Sequence, residues 1–364
     1  MIRMGALALA VAICGVHSGP SPAPAIALLP RSGHYQVDPA LGDDSTGTGS
    51  SLQPFRTITR ALAAAQPGEI VFLRPGTYDE RVITVQPGVT VTGPRSAVLR
   101  GAATSARVLE VRHDDTTLHG FTIDGKVCDE LVEACYRDKA IYVQSTVPHD
   151  GVTGTKIVGM RLTNLGGECV RMKYFTTDSL VHGNTIGPCG VYDFAIPNTG
   201  TGQNGEGIYI GTAPEQLVRN PTPHPDASNN NAVRDNVIDT QGAECVDIKE
   251  AARDNDVAHN TCTGQLPRNG NSGAMESRGP SNTFRFNYIH HNAAAGIRIG
   301  GDLPGDAVDN DIHHNVITDN ARGGIKVQDF GPHGRICGNV MRDNVGGNAV
   351  GDHKEQIGDP TAPC

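Results

Sequence analysis

The chain has 364 residues, 45 of them glycine, with aromatic residues at 4% and no tryptophan. Apolar residues make up 38%, below the share of an ordinary globular domain, which argues against one thick core and for many short strands and turns. The net charge of −9 speaks against nucleic acid as a partner, while leaving room for a local basic groove that takes an acidic ligand.

Residues 1–27 read as a secretory signal: Arg3 supplies the positive charge, Met4–Val16 the apolar stretch, and Ala25-Ile26-Ala27 a small-x-small cleavage site. The apolar run is too short to span a bilayer, so a secreted, extracellular protein with no membrane span is expected. Eight cysteines remain after the signal, an even number that suggests disulfides in an exported chain. Sequence neighbours are the natural pairs (128–135, 169–189, 245–262, 337–364), although spacing alone leaves connectivity open.

Residues 28–364 show no dividing linker and read as a single domain and a monomer. A helix is predicted at about 55–66, where Phe55, Ile58 and Leu62 share one face and Pro67-Gly68 ends the run. Such a helix would cap the open end of a stack of strands. From about 70 to 345, short blocks recur around Asn184, Asn236, Asn260, Asn287, Asn315 and Asn339, the last four intervals being 24, 27, 28 and 24 residues. That period with short alternating strands fits a right-handed parallel β-helix, its asparagines forming an internal ladder at one turn. A Pro- and Asn-rich insertion at about 212–231 reads as a loop that walls a cleft.

A second block precedes each asparagine: "GECVRMK", "GEGIYIG", "AECVDIK", "GAMESRG", "AGIRIGG", "GGIKVQD". Stacked column by column, eleven of the twelve inward positions are apolar, Ser277 being the exception. The outward positions then carry Arg171, Lys173, Tyr209, Asp247, Lys249, Glu276, Arg278, Arg298 and Lys326 on one solvent-facing stripe. Lys249 falls one rung from Arg278. A cationic stripe several rungs long suits an extended anionic polymer such as a uronic-acid polysaccharide, whereas its bland counterpart is a solvated sheet with ordinary ion pairs. One further column, Glu168, Glu206 and Glu244, sits at the turn entering the strands. Three stacked carboxylates repel one another, and calcium with its oxygen ligands would relieve that; pairing with basic neighbours such as Arg171 would do the same.

The stretch 240–300, through "ECVDIK", "NTC", "ESRG", "FNYI" and "GIRIGG", resembles polysaccharide lyase family 6, the alginate lyase and chondroitinase B group. The resemblance implies a calcium-binding glutamate at Glu244, a Brønsted base at Lys249 and an acid at Arg278. Two family positions differ: Gly242 stands where a second glutamate is usual, and Gly279 follows the arginine in place of histidine. The implied reaction is β-elimination, in which the base must be unprotonated near neutral pH. A cationic neighbour and a metal would lower a lysine from its usual value of about 10.4. Tyr209, one coil earlier, could position a sugar ring or donate a proton. The competing expectations are a non-catalytic β-helix that binds glycans or decorates the envelope, a uronate epimerase, and a glycoside hydrolase using Asp247 and Glu276.

Overall fold

The computed structural model describes residues 33–364 except 104, 198–203, 267–271, 304 and 330; the expected signal at 1–27 lies outside the described residues. Three long parallel sheets run the length of the molecule. The first has 11 strands, from His34–Val37 to Ile336–Cys337. The second has 10, from Val82–Ile83 to Ala349–Val350, and the third has 10, from Gly76–Tyr78 to Val340–Arg342. One coil visits the first, third and second sheets in turn, as in Asp256–Ala258, Thr261–Thr263 and Gly273–Ser277. Each strand pairs in parallel with its counterpart one coil on. The fold is a right-handed parallel β-helix.

Strand alternation puts every second side chain inside. On the second sheet the inner column runs Val170, Ile208, Val246, Met275, Ile297 and Ile325, in register and fully buried. The polar exception, Ser277, sits at a corner, where its hydroxyl donates to the Asn310 amide oxygen at 2.9 Å.

The asparagine column forms the expected ladder. Each side-chain Nδ2 donates to the Oδ1 one coil on: Asn184 to Asn236 at 2.8 Å, Asn236 to Asn260 at 2.9 Å, and Asn260 to Asn287 at 3.0 Å. The residue just before each asparagine turns the corner with positive φ, as Asp235 (56°), His259 (58°) and Phe286 (56°) do. Left-handed backbone disfavours L-residues with bulky side chains, and the repeated amide bonds hold it. Two more ladders stand at the other corners: Asn231, Asn255 and Asn282, and then Asn292, Asn320 and Asn344.

The N-terminal helix is shorter than expected, Ile58–Ala64. Thr57 caps it by accepting from the Arg60 amide at 3.1 Å, and Glu80 takes the Ile58 and Thr59 amides at 2.7 and 2.9 Å. These bonds fix the start, so Phe55 lies outside the helix and bridges to Val37. Ile58, Ala61 and Leu62 are buried in the core. All four expected disulfides are present: Cys128–Cys135, Cys169–Cys189, Cys245–Cys262 and Cys337–Cys364. No helix among the described residues is long and apolar enough to cross a membrane.

Candidate active site

The outer column of the second sheet reads, rung by rung, Tyr142, Arg171, Tyr209, Asp247, Glu276, Arg298 and Lys326. Two residues further along, at the next outward position, stand Lys173, Gly211, Lys249 and Arg278. Every residue named for the stripe thus lies on one wall, with Lys249 and Arg278 on adjacent rungs.

The stripe is not the open, solvent-facing surface expected. Arg171, Lys173, Tyr209, Asp247, Lys249, Glu276 and Arg298 are all buried. Part of the cover comes from outside the repeat. Gln216, from the 3₁₀ helix Pro214–Arg219 in the insertion, accepts from Arg171 Nη2 at 3.0 Å. Nor is the stripe uniformly cationic. Arg298 pairs with Glu276 at 2.8 Å, and Arg278 is held by Glu250 at 2.5 Å and by Asp302. Lys326 is half-buried at the far end.

Glu168 is placed differently from the other two column glutamates. It ion-pairs with Arg171 at 2.5 Å and Lys139 at 2.7 Å. Burial alone would raise its carboxyl, but these two cations outweigh burial and hold it at about 2. With its charge already balanced, Glu168 needs no metal.

Asp247 takes its place beside Glu206 and Glu244. One carboxylate oxygen from each of the three lies within 4.8 Å of the others. Asp247 Oδ1 is buried without a hydrogen-bond partner among the described residues. Burial, with the charges of Glu168 and Asp247, pushes the Glu206 carboxyl up to about 8. Burial and the carboxylates of Glu276, Asp247 and Glu206 push Glu244 well above its usual range. An all-oxygen set with an orphaned acceptor and unrelieved repulsion fits a hard divalent cation such as calcium.

Lys249 Nζ contacts Asp247 Oδ2 at 2.7 Å and lies 4.7 Å from the centroid of the Tyr209 ring. The sequence reading expected a neighbouring cation to draw this lysine's pKa down. Burial and Arg278 do act that way, but Asp247 outweighs them and raises it. Tyr209 lies between two cations, with the Arg171 guanidinium 3.5 Å from its ring centroid on one side and Lys249 on the other. Its hydroxyl is buried with no hydrogen-bond partner among the described residues. Burial keeps it protonated well beyond neutral pH.

Sequence reasoning missed how deeply the stripe is buried and the placement of Asp247 among the acids. The only sequence cue was the spacing: Asp247 stands three residues after Glu244, across the turn that enters the strand.

Comparison with known proteins adds the following. Residues 40–101 match a family described as a protein of unknown function, DUF1565. No curated protein matches the chain. Among solved structures, an alginate lyase from Paenibacillus sp. str. FPU-7 superposes with a TM-score of 0.61 at 18% identity, covering 80% of this chain and 96% of that one. PfbA, a surface adhesin of Streptococcus pneumoniae, gives 0.58 at 13% identity over 78% and 73% of the two chains. Pectate lyase Pel9A gives 0.55 at 12% identity over 87% and 78%. At these identities the likeness establishes the shared β-helix scaffold, which lyases and an adhesin alike are built on.

Proposed function

We propose that the protein is a secreted polysaccharide lyase that cleaves a uronic-acid polymer by β-elimination, with Lys249 and Tyr209 handling the protons. The reading is carried by one juxtaposition. A buried lysine, a protonated tyrosine with an unused hydroxyl, and three crowded carboxylates share two adjacent rungs. The motif resemblance to polysaccharide lyase family 6 and the scaffold shared with an alginate lyase and a pectate lyase support it.

The roles follow from the geometry. Abstraction of the uronate C5 proton needs a base, and Lys249 has the reach once Asp247 no longer holds it as the ammonium. The departing 4-linked oxygen needs a proton, and Tyr209 keeps one at neutral pH. Arg278 is assigned to neutralising substrate charge: two carboxylates pin its guanidinium, and although burial opposes protonation, the surrounding acids hold its proton firmly. Glu206, Glu244 and Asp247 would hold calcium; when bound, the ion would supply positive charge against the substrate's carboxylate as negative charge builds.

The test is absorbance of a new unsaturated uronide on alginate, pectate, glucuronan and glycosaminoglycans. Lys249→Ala and Tyr209→Phe should each lose roughly 10²-fold or more, with Lys326→Ala near wild type. New reducing ends without unsaturation would mean a hydrolase. Tight binding of polymer with no product would mean a binding protein.

A further inference from the structure

Beside Arg171, one rung to the N-terminal side of Tyr209, lies a cavity of about 360 Å³. Two of its walls come from a single expanded coil. That coil takes 52 residues from Asn184 to Asn236, against 24 for the next one. The extra length leaves in two loops. The first brings Tyr192 and Asn204 to the cavity, and the second brings Gln216 and Arg219. The wall is closely packed. A Cβ on Gly166 would fall 2.2 Å from Tyr192 Cζ, and one on Gly167 would fall 2.2 Å from Asp138 Oδ1.

Five cationic side chains line this cavity against three carboxylates, in a chain whose net charge is −9. The carboxylates are committed. Asp138 pairs with Lys139 at 2.6 Å, Glu168 with Arg171 at 2.5 Å, and Asp193 accepts from the Asn204 amide at 2.8 Å. Lys173 is not committed. It is 4% exposed, lines the cavity, and its ammonium makes no ion pair or hydrogen bond among the described residues. Asp226 attracts it electrostatically, but that carboxylate is already held by the Tyr174 and Phe175 amides at 2.6 and 2.9 Å. Burial and the Arg171 guanidinium lower Lys173 to about 8, which leaves it largely charged at pH 7. A buried, unpaired ammonium is costly, and this one borders a cavity that an anion can enter.

We propose that the cavity is a carboxylate-binding subsite for the sugar residue two along from the one at Lys249, with Lys173 as its buried counter-ion and Arg219 reinforcing it from the rim. The proposal rests on the reading of the site as one that takes uronate polymers. Lys173 and Lys249 are two rungs apart, roughly 10 Å at the usual strand spacing, and the intervening position is Gly211, which puts no side chain between them.

The experiment measures binding of saturated oligogalacturonate and oligomannuronate, and of their methyl esters, by calorimetry in a Lys249→Ala background. Lys173→Gln should weaken the better-bound acid at least tenfold, Lys173→Arg should retain most of the affinity, and Arg219→Ala should cost a few-fold. Methyl esters should bind weakly and equally to all variants. Lys173→Met should melt no lower than its parent, because it removes an unpaired charge; that keeps a binding loss from being read as misfolding. In the Lys249-intact enzyme, Lys173→Gln should raise KM with kcat nearly unchanged. Equal acid binding by Lys173→Gln, or esters binding as tightly as acids, overturns the subsite. Unsaturated product formed with an unchanged KM in Lys173→Gln removes the subsite and leaves the lyase standing. Lys173-dependent acid binding without any unsaturated product does the reverse.

Discussion

Two charged ladders run along this β-helix, on different sheets, and they differ in kind. On the first sheet, Asp256 is shared by Arg234 and Arg285, and Asp311 pairs with Arg335. These side chains stand in or near solvent, up to 68% exposed at Arg335. On the second sheet, Arg171, Lys249 and Arg298 pair with acids under cover. An exposed ladder adds little because water screens it. A covered one binds tightly, and any group left over is expensive. Three such groups stand along the covered ladder: Asp247 Oδ1, the Tyr209 hydroxyl and the Lys173 ammonium.

The contrast is broken most directly by removing one cation from each ladder. Arg298→Ala leaves the buried Glu276 without its cation and should cost about 3–5 kcal/mol, read as a fall in denaturation midpoint. If it costs no more than a first-sheet arginine, the two ladders are equivalent after all. A smaller effect should come from a divalent cation. Glu206 has its pKa raised to about 8, so its protonated form favours the fold. That contribution is complete below the unfolded carboxylate value of about 4.5 and is lost as pH rises through about 8. Metal-free protein should therefore lose stability across that window, and calcium at 100 times its Kd should return about 2.7 kcal/mol. Thermal melts with calcium and with a chelator, from pH 5 to 9, check the sign. Asn287→Ala, in the uncharged ladder between the sheets, should cost about 1–3 kcal/mol by leaving its neighbours' buried groups unpaired. Least of all, Arg285→Ala should change stability by about 0–1 kcal/mol, and the effect should vanish in 1 M salt.

The scaffold was legible because one type of corner repeats a strong signal. Asn236, Asn260, Asn287 and Asn315 recur at intervals a reader can count, and the flanking strands alternate. The same intervals relate Asn231, Asn255 and Asn282, yet "NNNAV", "RDNDV" and "PSNTF" vary too much around the asparagine to stand out. The site was legible only as a list of outward positions. Which acid meets which base depends on side-chain reach across a turn, so Asp247 rather than Glu168 stands with Glu206 and Glu244. Gln216, in the insertion, lands on Arg171 at one end of the stripe, a contact that no periodicity announces. Lys173 looks like any other lysine in the sequence; its isolation is a property of what surrounds it.

The 52-residue coil closes its corner bond at 2.8 Å, no worse than its 24-residue neighbour. The backbone rungs are thus indifferent to what is inserted between them. The lining of the cavity is carried by two loops, while rigidity resides in the rungs, and the two can be altered independently. Grafting other loops between Ile186 and Ile208, or between Ile210 and Ala232, is then a way to retarget the groove without rebuilding the rod.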